Sequence, residues 1–352
     1  NKEDAHEEPT IKRSRSHDYV SKEVINVREN VGLIEVANFS KHEFKGPDAR
    51  KFLDHIMAGR LPKPGRISLS PMLSYRGKLC GDLTVTCLDE NEFIVFGSGA
   101  AQEMHRRWFE SHLGKFNVNY NNRSDEFHGL SIAGPNSRKV LEKIVREDIS
   151  NEKFKFRDSR RMFVGGVPAI VNRISFTGEL GYEIYVAPHY QIKLYEELIQ
   201  AGKEFDIKPF GGRALMSMRL EKNWGAWTLD YRPDFTAKET GLDTFINWNK
   251  EFIGKENAKK DNSTNKIVPL IVETNEIDVT NNEAVVNGKD SIGYVTSGGF
   301  AHYVNKSVAF TFLDQNKINY DNKIQIEING DLFNCSLIKD SLYDPTGQKM
   351  RS

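Results

Sequence analysis

Two widely separated stretches of the chain share one pattern of apolar and polar positions. Residues 44–57 (FKGPDARKFLDHIM) and 132–145 (IAGPNSRKVLEKIV) coincide at Gly, Pro, Arg, Lys, Leu and Ile. Each predicts a short apolar strand, a Gly-Pro break and an amphipathic helix, whose first turn tolerates proline because that N–H has no intrahelical partner. We therefore predict two related α+β halves packed as one domain. Chance resemblance between two strand–helix starts is the alternative.

Alternating apolar residues predict β-hairpins between and after the two copies. One hairpin covers residues 83–96, and another covers residues 161–174 with its turn at Gly165-Gly166. Helical spacing predicts helices through Met104 to Phe109, after Pro188, and from about residue 212 to 222. The elements predicted up to residue 256 are thus mixed helix and strand, and we assign residues 19–256 to an α+β region.

The pattern changes near residues 257–266, a polar segment that we predict to be a linker. Beyond it the sequence consists almost entirely of short predicted strands. They are residues 267–273, 284–286, 293–297, 308–313, 324–328 and 332–338. Asn-Gly pairs at 287–288 and 329–330 favour tight hairpin turns. We therefore predict a small antiparallel barrel within residues 257–352.

The first 18 residues form a separate, highly charged segment that is poor in large apolar side chains. We predict a mobile tail or the remnant of a linker, with order beginning between Tyr19 and Val31. No apolar run approaches the roughly 18 residues that span a bilayer, and the N-terminus does not resemble a signal peptide. We accordingly expect no membrane partner.

Charge and cysteine content exclude several classes of protein. The 49 basic and 49 acidic residues cancel, which argues against bulk electrostatic capture of nucleic acid or anionic lipid. The three cysteines are too few and too scattered for a disulfide framework, which predicts a reducing compartment. The sequence contains no HExxH, no CxxC and no close Cys/His cluster, so we expect no metal site.

Two glycine-containing segments lie where strands begin or end. Asp82 follows a glycine in residues 76–85 (RGKLCGDLTV) and enters an apolar strand, where a carboxylate can face a pocket and meet a substrate amine. A turn or capping aspartate is the alternative. Residues 97–102 (GSGAAQ) only partly match G-x-G-x-x-G and follow a predicted hairpin, so we do not expect a dinucleotide site. Their glycines permit a tight turn or close approach to a ligand.

Residues 176–183 (FTGELGYE) place two glutamates in a turn that enters a strand. Glu179 and Glu183 can point in different directions. A buried glutamate on the strand needs hydrogen-bond donors, because an unpaired buried charge is costly. A flat heterocycle with an amidine-like edge supplies two such donors, whereas a solvated strand glutamate is the alternative.

A predicted helix end and an aromatic segment follow one another near residue 220. We interpret Arg219 and Glu221 as an internal ion pair near the helix end. Trp224, Trp227 and Tyr231 come next, and they either pack in the core or form the wall of a ligand site.

In their order and spacing, these motifs resemble the folate-binding half of the dimethylglycine and sarcosine dehydrogenases. That half is itself similar to the glycine-cleavage T-protein, an aminomethyltransferase. The shared motifs are FKGPDA at 44–49, MLSYRG at 72–77, DLTV at 82–85, IAGP at 132–135, RISFTGELGYE at 173–183, RLEK at 219–222, ETGL at 239–242, FIGK at 252–255 and GYVTSG at 293–298. The resemblance therefore extends over nearly the whole chain.

The resemblance implies an α+β, T-protein-like fold: two related α+β segments and a C-terminal antiparallel β-barrel around a central folate channel. It implies tetrahydrofolate as the one-carbon acceptor. Asp82 stands at the family's catalytic carboxylate, the second of an Asp-Asp pair whose first member is Gly81 here. Glu183 stands at the glutamate that holds the pterin edge.

Four further residues complete the folate-binding set that the resemblance implies. Phe176 stands where the T-protein has tyrosine, and Phe96 lies on the strand that lines the folate. Tyr182 and Ser98 are the other two predicted contacts.

Two departures from the T-protein pattern look like the dehydrogenase branch. Leu215 replaces a folate-contacting arginine, and Leu69 replaces a tyrosine upstream of the catalytic aspartate. Both weaken the case for an aminomethyl-lipoyl carrier protein as the substrate. The dehydrogenases also carry an FAD domain before this half, so we expect such a domain in a longer protein or in a partner, and the charged N-terminal segment favours the former.

We therefore predict a tetrahydrofolate-dependent one-carbon transferase that forms 5,10-methylenetetrahydrofolate from a small N-methyl amine such as dimethylglycine or sarcosine. One alternative is a folate-dependent methyl-transferring demethylase, whose product is 5-methyltetrahydrofolate. Another is a folate-binding module without chemistry of its own. The expected compartment is the cytoplasm, or the mitochondrial matrix in a eukaryote, and no nucleic-acid partner is expected.

Overall fold

The structure, a computed structural model, describes residues 10, 12–319 and 321–352. Its first helix is α1 (His17–Glu29), which precedes strand β1 (Gly32–Glu35). The sequence pattern does not predict α1, although Val20, Val24 and Val27 form one buried face of it. The tail predicted over residues 1–18 lies partly outside the described residues. In the described part, the helix begins before Tyr19, earlier than expected.

The first half of the α+β region has the order β–α–β–β–β–α. Its elements are β2 (Ser40–Lys45), α2 (Ala49–Ile56), β3 (Arg66–Leu73), β4 (Leu79–Asp89), β5 (Glu92–Gly97) and α3 (Gln102–Leu113), followed by β6 (Asn119–Asn122). The strands form an antiparallel sheet in the order β3-β4-β5-β2-β6. An apolar cluster that includes Phe52 of α2, Leu83 of β4 and Phe109 of α3 covers the outer face of this sheet.

The second half repeats this order. Its elements are β7 (His128–Ala133), α4 (Ser137–Glu142), β8 (Ser159–Val164), β9 (Val167–Asn172), β10 (Gly181–Val186) and α5 (Gln191–Gly202), followed by β11 (Lys208–Pro209). The sheet order is β8-β9-β10-β7-β1-β11, so its first four strands occupy the places of β3, β4, β5 and β2. Helices α4 and α5 cover the outer face through a cluster that includes Val140, Ile184 and Leu198.

The glycines of the two repeated segments share an uncommon backbone conformation. The φ angle is 134° at Gly46 and 131° at Gly134. A Cβ at either position would lie 2.6 Å from a backbone oxygen, that of Asn117 or of Asn30. Only glycine fits such a place. The shared Gly-Pro therefore reflects a shared backbone requirement, and the predicted pair of related halves is confirmed.

The inner faces of the two sheets pack on each other, with the helices outside. In the first sheet, Thr84 and Lys41 lie opposite Phe96 on neighbouring strands, so these side chains share the inner face. In the second sheet, Tyr185 lies opposite Ile170. The rings of Phe96 and Tyr185 meet with centroids 4.6 Å apart. The space between the sheets is therefore lined by both halves.

Helix α6 (Gly212–Glu221) leads into residues 223–235, which we call the aromatic loop. Helices α7 (Ala237–Thr240) and α8 (Lys255–Lys259) follow. Residues 257–266, predicted as a linker, contain the end of α8 and the first residues of a strand. Of the helices in the described part of the chain, none is long and apolar enough to cross a membrane.

The C-terminal part is a closed antiparallel barrel. Its strands are β12 (Asn265–Val272), β13 (Ala284–Asn287), β14 (Asp290–Ala301), β15 (Lys306–Asp314), β16 (Ile324–Ile328) and β17 (Asp331–Leu337), and α9 (Gln348–Arg351) follows. They close in the order β12-β15-β14-β13-β16-β17. Asn329 and Gly330 both have positive φ, 53° and 91°, as a type I′ hairpin turn requires. Each of the six predicted strands is present, so the predicted barrel is confirmed.

Candidate functional site

Asp82 lies within the 11-residue strand β4 and not in a turn. Its side chain shares the inner face with Thr84, because alternate residues of a strand point to the same side. The carboxyl group is half-buried, and burial raises its pKa to about 7. No ion pair to it occurs among the described residues. Such a group can give or take a proton near neutral pH.

His105 supports the strand immediately before Asp82. Its Nε2 lies 2.9 Å from the carbonyl oxygen of Cys80, and burial lowers the pKa of the imidazole to about 4. The neutral ring therefore donates Nε2–H to that carbonyl. A Cβ at Gly81 would lie 2.9 Å from the same nitrogen. His105 thus fills the space that a larger side chain at Gly81 would need. Nothing in the sequence indicated this contact between His105 and β4.

The aromatic loop lies beside Asp82. Burial and the negative charge of Asp82 raise the pKa of Tyr231, and the Gly225 N–H donates to the Tyr231 hydroxyl at 3.3 Å. The Trp227 ring lies 6.1 Å from that of His105. Both Trp227 and Tyr231 are only partly buried and pack on an apolar cluster. The loop is therefore anchored in the core and passes beside Asp82, so the ligand-wall alternative stays a prediction.

Asp230 ties the aromatic loop to α6 and to the barrel. Its carboxylate accepts from Arg219 at 2.7 Å, and from the hydroxyls of Thr296 and Ser297 at 2.6 and 2.7 Å. Asp230 is completely buried, so all of these bonds replace lost water. The network fixes the loop between the two parts of the chain.

The predicted ion pair between Arg219 and Glu221 is wrong. Arg219 pairs with Asp230, whereas Glu221 pairs with Arg28 of α1 at 2.6 Å. Residues two apart on a helix point to different sides, so they cannot face each other. Arg28 also pairs with Glu179 at 2.9 Å. Glu179 and Glu183 therefore have different partners, because Glu183 accepts a hydrogen bond from Tyr185.

Glu183 lies on the inner face of the second sheet and is 7% exposed. The Tyr185 hydroxyl donates to its carboxylate at 2.8 Å. Burial raises the pKa of Glu183 to about 7, against the opposing effects of Tyr185 and of the Lys41 charge. Its cross-strand neighbours are Ser131 and Asn172. The hypothesis of a buried strand glutamate is therefore confirmed, and the solvated alternative is excluded.

Asn172 adds an unused donor beside Glu183. Its side chain is completely buried, and its Oδ1 accepts from Ser159 Oγ at 2.7 Å. Its Nδ2 has no partner among the described residues. A buried donor without a partner is uncommon in a packed core and marks a place where a ligand or water can bind.

Of the other predicted contacts, Phe96 lies in this space, and Phe176 lies against the aromatic loop. Phe96 packs against Tyr185 between the sheets. Half-buried Phe176 stacks on Trp224 of the aromatic loop, with ring centroids 5.8 Å apart. Ser98 directly follows β5, at the end of the hairpin that carries Asp82.

Tyr182 is not brought to this space. It is completely buried on the outer face of β10, where its ring stacks on Phe154 and its hydroxyl accepts from Arg138 at 3.1 Å. Adjacent strand residues point to opposite faces, so Tyr182 and Glu183 cannot line one site. Tyr185, two residues beyond Glu183, is the tyrosine on the inner face, and the alternation of side chains could have identified it.

At the two positions that depart from the T-protein pattern, the side chains pack against apolar clusters. Leu215 packs on the apolar cluster between α1 and α6, and Leu69 packs on the cluster that includes Trp227 and Tyr231. Both positions are therefore filled by apolar contacts.

Two surface clefts lie elsewhere on the molecule. One of about 440 Å³ is lined by residues that include Lys238 and Trp248, and one of about 370 Å³ includes Ile192 and Tyr195. Neither contains Asp82 or Glu183. No group of three or more His, Cys, Asp or Glu side chains that could hold a metal ion occurs in the described part of the chain. We assign the candidate site to the inter-sheet space because Asp82 and Glu183, whose pKa values are raised to about 7, lie on the inner faces of the two sheets.

Models of two protein-family domains match this chain. The GCVT N-terminal domain matches residues 4–250, and the glycine cleavage T-protein C-terminal barrel domain matches residues 265–344. The chain therefore belongs to the glycine cleavage T-protein family, a family of aminomethyltransferases.

Curated relatives include a dehydrogenase and an aminomethyltransferase. The mitochondrial dimethylglycine dehydrogenase of Mus musculus is 33% identical over 348 residues, which are 97% of this chain and 40% of that protein. The aminomethyltransferase of Thermoanaerobacter pseudethanolicus is 29% identical over 330 residues, which are 92% of this chain and 89% of that protein. The chain thus spans about two fifths of the dehydrogenase and most of the aminomethyltransferase.

A solved structure shows the same fold. The glycine cleavage system aminomethyltransferase T from Bartonella henselae superposes with a TM-score of 0.82 at 21% identity, over 93% of this chain and 90% of that one. The predicted T-protein-like fold is confirmed.

Proposed function

We propose that this chain is a tetrahydrofolate-dependent one-carbon transferase that forms 5,10-methylenetetrahydrofolate. The observation that supports the proposal is that Asp82 and Glu183, two carboxyl groups with pKa values raised to about 7, lie on the inner faces of the two packed sheets. Neither is paired with an arginine among the described residues, unlike Glu179, Glu221 and Asp230. Similarity to aminomethyltransferases supports the assignment.

The residues around Glu183 fit the pterin ring of a folate. The carboxylate can accept from the ring N–H and the 2-amino group, and Asn172 has a free donor in the same row of the sheet. Phe176 and Trp224 offer a stacked aromatic surface for a flat ring system. Charge-assisted bonds to a buried carboxylate are strong enough to orient the ligand.

Asp82 is proposed to hold and move protons during the transfer. Bound tetrahydrofolate supplies two amine nitrogens, N5 and N10. The iminium carbon of the donor forms bonds to both nitrogens and loses its bond to the donor amine, and the two folate N–H protons leave on that amine as an ammonium ion. Asp82 can accept one such proton and return it to the leaving amine, and its charge stabilises the cation. A pKa near 7 suits both directions of transfer.

The donor is proposed to be a small N-methyl amine such as dimethylglycine, after the name of the dehydrogenase relative. Conversion of such an amine to an iminium needs a two-electron oxidant. We assign that step to a flavin dehydrogenase domain or partner outside these residues, since the chain spans about two fifths of the dehydrogenase. The compartment, cytoplasm or mitochondrial matrix, stays a prediction.

The test is a condensation assay with the purified chain. Formaldehyde replaces the iminium donor, tetrahydrofolate is the acceptor, and formation of 5,10-methylenetetrahydrofolate is followed against the rate in buffer. We expect faster formation with the protein than without it. Binding of tetrahydrofolate with no acceleration would contradict the transferase and support a folate-binding module.

Product analysis separates the other alternative. Mass spectrometry of the folate product from an N-methyl amine, in the presence of a flavin dehydrogenase, distinguishes the methylene from the methyl form. The proposal predicts the methylene form. Accumulation of 5-methyltetrahydrofolate would instead identify a methyl-transferring demethylase.

A further inference from the structure

Lys41 is a completely buried lysine on the inner face of the first sheet. It lies directly opposite Phe96 in the β2–β5 register. Its Nζ donates to the carbonyl oxygen of Ala37 at 2.6 Å. In the described part of the chain it forms no ion pair, whereas the equally buried Arg28 and Arg219 are both paired with carboxylates. Burying a cation without a paired anion costs folding free energy, which suggests that Lys41 is retained for a purpose other than stability.

Three carboxyl groups face Lys41 from neighbouring elements. Asp125 follows β6, Glu35 ends β1, and Glu183 lies on β10; their charges raise the pKa of Lys41, but burial outweighs them and lowers it to about 8. The amine is therefore mostly protonated at neutral pH. Asp125 and Glu35 are exposed, so Glu183 is the one that shares the inter-sheet space with the lysine.

Lys41 and Glu183 both lie near the side chain of Tyr185. Lys41 Nζ lies 6.0 Å from the ring centroid of Tyr185, and Glu183 accepts from the hydroxyl of that ring at 2.8 Å. The lysine and the glutamate do not pair with each other within 4.0 Å. One buried donor and one buried acceptor therefore flank a single ring and remain available to a ligand that offers the complementary pair.

We propose that Lys41 donates to the 4-oxo group of a bound pterin while Glu183 accepts from the adjoining N–H groups, so that the pair selects a lactam edge. This inference rests on the proposed function and names a specificity residue for it. A lactam presents an N–H donor beside a carbonyl acceptor. A 4-amino pteridine presents the reverse order, a ring-nitrogen acceptor beside an amino donor, and its amino group would point at the ammonium of Lys41.

The test compares two ligands on three proteins. Titration calorimetry under anaerobic conditions measures tetrahydrofolate and its 4-amino analogue on the wild-type chain, on Lys41→Met and on Lys255→Met. Lys255 is a matched control, because it is a buried lysine at the start of α8 that pairs with Glu251, away from the inter-sheet space. We expect Lys41→Met to weaken tetrahydrofolate binding about tenfold or more. Binding of the 4-amino analogue should stay unchanged or improve, and Lys255→Met should keep the wild-type ratio.

A second variant keeps the test decisive if Lys41→Met does not fold. The amide of Lys41→Gln can turn to donate or to accept, so it should lose less tetrahydrofolate affinity and should improve binding of the 4-amino analogue. Equal changes for both ligands, in whichever variant folds, would overturn the assignment of Lys41. If the wild-type chain binds neither ligand, the proposed function fails as well; if it binds tetrahydrofolate but the ratio is insensitive to residue 41, only this inference fails.

Discussion

The two halves of the α+β region share a framework but place their carboxyl groups at positions that do not correspond. Alignment of the two repeated segments makes Ile94 of β5 the counterpart of Glu183, and Phe96 the counterpart of Tyr185. Following the register to the next strand makes Pro168 of β9 the counterpart of Asp82. Each half therefore contributes one carboxyl group. The corresponding position in the other half holds an apolar residue, Pro168 for Asp82 and Ile94 for Glu183.

This difference separates what holds the halves together from what makes the site. Phe96 and Tyr185, which are counterparts, contact each other between the sheets. Asp82 and Glu183, which have no polar counterparts, carry the raised pKa values. The repeated positions thus supply packing, and the departures from the repeat supply the two carboxyl groups to which we assign the chemistry.

The largest expected effect is that of Asp82→Ala, which removes the departure in the first half. If Asp82 moves a proton or stabilises the cation, turnover should fall about 10²–10⁴-fold, the usual range for a positioned acid–base group. Tetrahydrofolate affinity should change far less, because Glu183 is proposed to hold the pterin. The measurement is the methylenetetrahydrofolate-forming assay together with a calorimetric titration.

Asp89→Ala is the matched control for Asp82, because Asp89 is an exposed acid at the end of the same strand. It should leave turnover unchanged. An Asp82→Ala protein with normal turnover and a lowered melting temperature would show that Asp82 is a structural residue and that its catalytic assignment is wrong.

Next in size is Asp230→Ala, which tests whether the paired carboxylates stabilise the fold. The change leaves Arg219 buried without its partner, which typically costs about 3–5 kcal/mol in free energy of unfolding. Urea denaturation measures the loss. Asp234→Ala, which breaks the exposed pair with Arg232, should cost about 1 kcal/mol or less. Similar losses in the two variants would show that the buried pair of Asp230 stabilises the fold no more than the exposed pair of Asp234 does.

Glu183→Gln removes the departure in the second half while keeping the shape of the side chain. A charge-assisted hydrogen bond contributes about 1.5–3 kcal/mol, so tetrahydrofolate binding should weaken about ten- to hundred-fold. Titration calorimetry measures it, with Gln191→Glu as a change of charge outside the inter-sheet space. Unchanged affinity in Glu183→Gln would remove this residue from the pterin site.

A further expected effect of the same two carboxyl groups is the dependence of stability on pH. Both carboxyl groups have folded-state pKa values of about 7, above their ordinary values of 3.8 and 4.5. The folded chain then binds more protons than the unfolded chain between these limits, so this contribution to stability is complete below about pH 4 and is lost as pH rises through 7.

Melting curves of the ligand-free chain at pH 5.5 and pH 8 test this dependence. Asp82→Asn cannot ionise, so it should lose less stability than the wild type over this interval. Asp89→Asn should behave as the wild type. An Asp82→Asn protein with the wild-type decline would mean that the pKa of Asp82 is not raised.

Much of the architecture was predictable because its signals are local. The Gly-Pro breaks, the alternating hairpins and the Asn-Gly turns each specify a backbone conformation within a few residues. At Gly46 and Gly134 only glycine fits, because a Cβ would lie 2.6 Å from a backbone oxygen. The same locality made Asp82 and Glu183 candidates, since each enters an apolar strand directly from a glycine-containing segment. The alternation of side chains within β10 would also have separated Tyr182 from Glu183.

Tertiary structure alone decided the partners of the charged groups. Arg28 pairs with Glu221, which is 193 residues away in the sequence, and Arg219 pairs with Asp230 of the aromatic loop. Local spacing therefore suggested the wrong pair, Arg219 with Glu221. Lys41 also gave no local signal, because whether a lysine on a strand is solvated or buried depends on which sheet packs against it. By itself the sequence determined the repeat, the barrel and the two carboxyl groups. Only the packing of one half on the other decided that those carboxyl groups lie between the sheets and form no ion pair among the described residues, because burial and pairing depend on contacts between residues far apart in the chain.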